Sequence, residues 1–114
     1  LSVAERLAGP APLVDPILED GRSRFPDLAH SLERINEGEP YRQAVTLMRE
    51  RVRAALAARP EGYANPGELL ADLRTIDASL RAQHADLIAN GDLRDAIRLV
   101  EVFGFHFARL DLRE

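Results

Sequence analysis

Proline and glycine interrupt this chain so often that no regular segment can run much beyond twenty residues, and up to Gly104 the apolar residues inside each segment recur every three to four positions. That period puts them on one face of a helix, so most of the chain is predicted to fold as short amphipathic helices packed on one another. Asp15-Pro16 reads as a capping side chain before a proline in the first helical turn. It opens a short helix that Gly21 and Pro26 are expected to limit. A second short helix is predicted over about Asp27 to Ile35, followed by the linker NEGEP. Ahead of both, Ser2 and Glu5 make a weak capping box that Gly9 and Pro10 stop.

Three longer helices follow. Pro40 opens the first, with Tyr41, Val45, Met48, Val52 and Leu56 on one stripe and Arg42, Arg49, Glu50 and Arg53 off it. Asn65-Pro66 with Glu68 gives the second a capping-box start. Its predicted core face is Leu69, Leu73, Ile76, Leu80, Leu87 and Ile88, and Asn90-Gly91 stops it. Asp92 caps the third, whose apolar face is Leu93, Ala96, Ile97, Val100 and Phe103. After Gly104 the period drops to two. His106, Ala108, Leu110 and Leu112 fall on one face of a predicted strand, and Phe105, Phe107, Arg109, Asp111 and Arg113 on the other. A lone strand leaves its backbone donors and acceptors unpaired, so it needs a partner strand from elsewhere. The chain thus divides into opening helices over 1–38, three amphipathic helices over 39–104 and a strand segment over 105–114.

Composition narrows the functions available. With 114 residues there is room for one domain with a modest aliphatic core. The absence of cysteine excludes disulfides, thiolate metal sites and thiol nucleophiles, and suits a cytoplasmic protein. A net charge of −4 spread over interspersed charges of both signs argues against nucleic acid or an anionic membrane as partner. No apolar run approaches the roughly 20 residues that span a bilayer, and the first residues lack a basic stretch followed by an apolar one, so a soluble chain that is not exported is expected.

Chemistry-bearing motifs are sparse. His30, His84 and His106 are far apart, and none is spaced to put two ligands on one helix face, so no metal site is expected from this chain alone. Gly62 and Gly67 read as turn residues beside prolines rather than as a phosphate loop, and Ser2, Ser23, Ser31 and Ser79 lie in no nucleophile-elbow context. Most carboxylates alternate with arginines in the pattern of solvated helix faces. Asp111 and Arg113 are the exception, because two ionisable groups on a strand rich in bulky apolar residues need partners if buried. Two readings fit their spacing equally: an ion pair at a strand end, or an arginine aimed into an anion site at the C-terminal rim of a parallel barrel.

Three stretches together resemble the middle of bacterial phosphoenolpyruvate carboxylases: EPYRQAVTLMRERV (39–52), GYANPGELLADLRTI (62–76) and LIANGDLRDAIRLVEVFGFHFARLDLRE (87–114). The resemblance implies a mainly α segment of a helix-rich (β/α) barrel enzyme, ending in one barrel-strand segment, FHFARLDLR, whose Arg113 helps to hold the substrate phosphate. It implies no catalytic step for Arg109 or Asp111. The implied enzyme is a cytoplasmic homotetramer several times longer than this chain. It uses magnesium, with ligands outside these residues, and acts on phosphoenolpyruvate and bicarbonate. Bicarbonate attacks the phosphorus, carboxyphosphate and an enolate form, and the enolate captures the released carbon dioxide to give oxaloacetate. The chain by itself is then expected to be inactive and to self-associate through exposed apolar faces. The alternative is a stand-alone helical module that binds a partner through its strand-like tail by sheet addition.

Overall fold

The computed structural model describes residues 9–83. Over these it is helical: a 3-10 turn at Pro12–Val14 leads into α1 (Asp15–Arg24), α2 (Pro26–Ile35), α3 (Pro40–Leu56) and α4 (Pro66–Gln83). All four helices carry proline in the first turn, where its missing N–H would have had no intrahelical partner. The residues before Pro26 and Pro40 are extended, Phe25 at φ −133° and Glu39 at φ −119°, as the proline ring requires of its predecessor. These junctions explain why the predicted starts of α2, α3 and α4 match the observed ones to within a residue.

Packing is built on α1, which lies against both α2 and α3, while α4 covers α3 and the 3-10 turn. The core is aliphatic with two tyrosines: Val14, Leu18 and Leu32 meet Ala44, Leu47, Met48 and Val52, and Tyr41, Tyr63, Leu69, Ile76 and Leu80 close it from the α4 side. At its centre Tyr41 and Ser79 share a 2.6 Å hydrogen bond between hydroxyls, which satisfies a polar group on the fully buried Ser79. No helix among the described residues is long and apolar enough to cross a membrane.

The structure corrects several expectations. Asp15 is the first residue of α1 rather than a side-chain cap; Val14 holds the cap position and no cap hydrogen bond forms. Gly21 does not end α1 but lies inside it, buried, where an added Cβ would collide with the Cδ1 methyl of Leu47. Its role is to let α3 approach. On α3 the buried face has turned relative to the predicted stripe. Ala44 and Leu47 are buried, Val45 is half-buried and Leu56 is exposed, because α1 and α2 both need to be met from one side. Along α4, Leu69, Ile76 and Leu80 are buried and Leu73 is packed against the core as predicted. Leu87 and Ile88, the helix from Asp92 and the strand segment 105–114 lie outside the described residues.

Helix α3 ends in a Schellman arrangement, with Arg59 N donating to Ala54 O at 2.8 Å and Ala58 N to Ala55 O at 3.1 Å. Ala58 carries the left-handed turn at φ 56°, a conformation in which a Cβ is strained. Ala58→Gly is therefore expected to stabilise the chain by about 1 kcal/mol, read as a raised urea midpoint with an unchanged slope.

Candidate functional site

The only constellation of charged groups that converges below the surface of the described residues centres on Arg51. Its side chain is 9% exposed, on the α3 face that also carries Tyr41, Ala44, Leu47 and Met48. Guanidinium nitrogens lie 3.3 Å from Asp20 of α1 and 3.5 and 3.6 Å from Glu68 and Asp72 of α4, so one side chain ties three helices together. Tyr63, in the loop between α3 and α4, places its ring 3.9 Å below the guanidinium carbon and donates its hydroxyl to Asp72 at 2.8 Å. Asp20 accepts a shorter contact of 2.7 Å from Arg24, which also donates to the carbonyl of Glu61.

Local sequence accounts for each arm. Glu68 and Asp72 are four apart on α4 and so share a face. Asn65 caps α4 by accepting from the Glu68 N–H at 3.1 Å, while Glu68 reaches back to the N–H of Ala64 at 2.7 Å, one residue upstream of the predicted capping-box partner. These two bonds fix the first turn of α4 and hold the Glu68 carboxylate towards Arg51.

Burial sets the electrostatics. It is the largest influence on Asp72, raising its carboxyl above the usual value, while the Tyr63 hydroxyl and Arg51 pull the other way. Burial likewise pushes the Tyr63 phenol far above its ordinary value, reinforced by the Asp72 charge, so Tyr63 is a fixed donor. A carboxyl raised in the folded state contributes stability below its unfolded value, near pH 4, and loses it as pH rises through the folded value. Asp72→Asn removes that titration. Its unfolding free energy should fall less than that of the wild type as pH is raised from about 4 towards neutrality, measured by urea denaturation across that range.

This cluster is suited to joining helices rather than to chemistry, because each carboxylate faces a guanidinium and Tyr63 is held in its neutral form. By its charge alone Arg51 reads as one more solvated arginine. The signal that marks it is its position: three residues after Met48 and four after Leu47, it falls on the buried stripe. The remaining candidates do not come together. His30 is exposed on α2, Ser23 is exposed on α1 and Ser79 is buried in the core, while Arg109, Asp111, Arg113, His84 and His106 lie outside the described residues.

A family model described as phosphoenolpyruvate carboxylase matches residues 1–114. Curated relatives carry the same name. That of Roseiflexus castenholzii is 40% identical over 91% of this chain and 13% of its own length, that of Mycolicibacterium paratuberculosis is 36% identical over the whole chain and 12% of its own, and that of Rhodopseudomonas palustris strain BisB5 is 40% identical over the whole chain and 12% of its own. The chain thus spans about an eighth of the length of these relatives. No solved structure matches. A match running from the first residue to the last, with relatives of one name on every side, means that the chain belongs to the phosphoenolpyruvate carboxylase family.

Proposed function

We propose that the chain is one segment of a longer phosphoenolpyruvate carboxylase, a carboxy-lyase that forms oxaloacetate and phosphate from phosphoenolpyruvate and bicarbonate. The observation that carries this reading is the family match over all 114 residues by a chain covering 12–13% of relatives so named. In this reading the helices of residues 9–83 are part of the helical casing around a barrel of parallel strands, and residues 105–114 supply one of those strands. The longer protein is a cytoplasmic homotetramer, and its reaction replenishes four-carbon acids.

Arg113 is the residue of this chain assigned to the substrate. Its planar guanidinium can donate two parallel hydrogen bonds to phosphate oxygens. It stays charged at any working pH, so it can hold the phosphate in place while negative charge redistributes during transfer to bicarbonate. Magnesium is assigned to ligands elsewhere in the longer protein. Among the described residues no group of three or more histidine, aspartate or glutamate side chains is arranged to hold a metal ion, and the carboxylates that converge do so on Arg51.

The test is an oxaloacetate assay coupled to malate dehydrogenase on the longer protein, with and without bicarbonate. Product that depends on both phosphoenolpyruvate and bicarbonate is expected, and none from residues 1–114 alone. A folded longer protein that makes no oxaloacetate would contradict the activity. Turnover by the 114-residue chain would contradict its reading as one segment of the catalyst.

A further inference from the structure

Beside the Arg51 cluster runs an open groove of about 520 Å³ between the 3-10 turn and α1 on one side and α4 on the other. Its α4 wall is made of short side chains one helical turn apart, Ala71, Thr75 and Ala78; the opposite wall is Leu13, Pro16 and Ile17. Small residues at this spacing let a second helix approach to about 8–10 Å between axes. Leu13 is 49% exposed in the groove as it stands.

At one end the groove meets charges that do not balance among the described residues. There, Asp20, Glu68 and Asp72 are three carboxylates against two guanidiniums, Arg24 and Arg51, which leaves one negative charge over. Arg51 contacts its three partners at 3.3 to 3.6 Å, longer than the 2.7 Å Arg24–Asp20 bond, so a single guanidinium is shared thinly among them. Its buried Nε has no hydrogen-bond acceptor among the described residues. The side chains of Asp20 and Glu68 are 41% and 42% exposed, so solvent can reach and screen the excess charge while the groove is open. An apolar cover would remove that water, and a buried, unpaired carboxylate is strongly unfavourable. A cover that brings a cation removes this penalty while keeping the carboxylates ionised.

We propose that this groove seats an amphipathic helix from another part of the longer polypeptide, carrying an arginine or lysine that lies against the carboxylates of Asp20 and Glu68. The inference rests on the chain being one segment of a longer protein, as proposed above. It is consistent with relatives whose length lies mostly outside the stretch matched here. The apolar stripe of the incoming helix would pack on Leu13, Ala71 and Ala78, and its cation would bring the cluster to neutrality.

The experiment places a photo-crosslinking benzoyl-phenylalanine at position 75, and separately at position 78, of the longer protein and identifies the attached peptide by mass spectrometry. Both positions should crosslink to one segment of the same polypeptide outside residues 1–114, with an arginine or lysine within about one turn of an apolar stripe. Attachment to residues 1–8 or 84–114, to a second subunit or to a segment without a cation would overturn the proposal. So would the absence of any crosslink at both positions in folded protein. Oxaloacetate formation is measured on the same samples. A protein that is active but fails to crosslink contradicts only the docking, whereas one that crosslinks but is inactive contradicts only the proposed activity.

Discussion

Gly62→Ala is expected to destabilise the protein by about 3 kcal/mol, the upper end of what overpacking a core usually costs. Gly62 is buried in the loop after α3, and a Cβ built there would collide with Ala55 N and lie 2.6 Å from Ala55 Cα and 2.8 Å from the Ala54 carbonyl carbon. All three are backbone atoms of a helix, which cannot swing aside as the end of a side chain can. Relief requires the loop to move away from α3. That would pull Tyr63 off the Arg51 guanidinium and loosen its 2.8 Å bond to Asp72. At this chain length a loss of that size lowers Tm by about 10 °C or more. Gly67→Ala is the control. Gly67 is exposed in the first turn of α4, its Cβ would meet only Asn65 Oδ1 at 3.1 Å, and alanine favours helix, so a change within about 1 kcal/mol is expected. Equal melting temperatures for the wild type and Gly62→Ala would show that the loop does not rest on α3 as described.

The contrast between Gly62 and Gly67 also marks what the sequence could disclose. Both glycines stand beside turn-forming residues, and both read as turn positions. Gly62 does not use the left-handed conformation that glycine permits; among the described glycines only Gly9 and Gly38 do, at φ 105° and 72°. Its reason for being glycine is a contact with a helix seven or eight residues back, and a contact leaves no local signature. Gly21 is the same case, a stop by its sequence and a packing position against Leu47 in the fold. Helix starts, by contrast, are legible because proline acts on its own neighbours: Phe25 and Glu39 are extended for reasons contained in two residues.

Arg51 shows a different limit. Its charge argues for solvent while its periodicity argues for the core. Periodicity prevails because Asp20, Glu68 and Asp72, distant in sequence, supply the counter-charges that make burial tolerable. Position on the helix face is visible in the chain, but the partners are visible only in the fold. Arg113 depends on neither, since alternation puts it on a strand face without choosing between an ion pair and an anion site. The anion site is the reading taken up in the proposal above, and Arg113 itself lies outside the described residues.

The central claim, that this chain brings a phosphate-holding arginine to a carboxylase active site, is tested most directly by steady-state kinetics on Arg113 variants of the longer protein. Arg113→Ala is expected to lower kcat/KM for phosphoenolpyruvate by about two orders of magnitude or more, the scale seen when one preorganised charge-stabilising donor is removed. Arg113→Lys should recover only part of it, because an ammonium offers a point charge where the guanidinium offers a two-pronged fork. Arg74→Ala, at an exposed position on α4, should stay close to wild type, and thermal melts should match across all variants. A folded Arg113→Ala enzyme with wild-type kcat/KM would contradict the assignment.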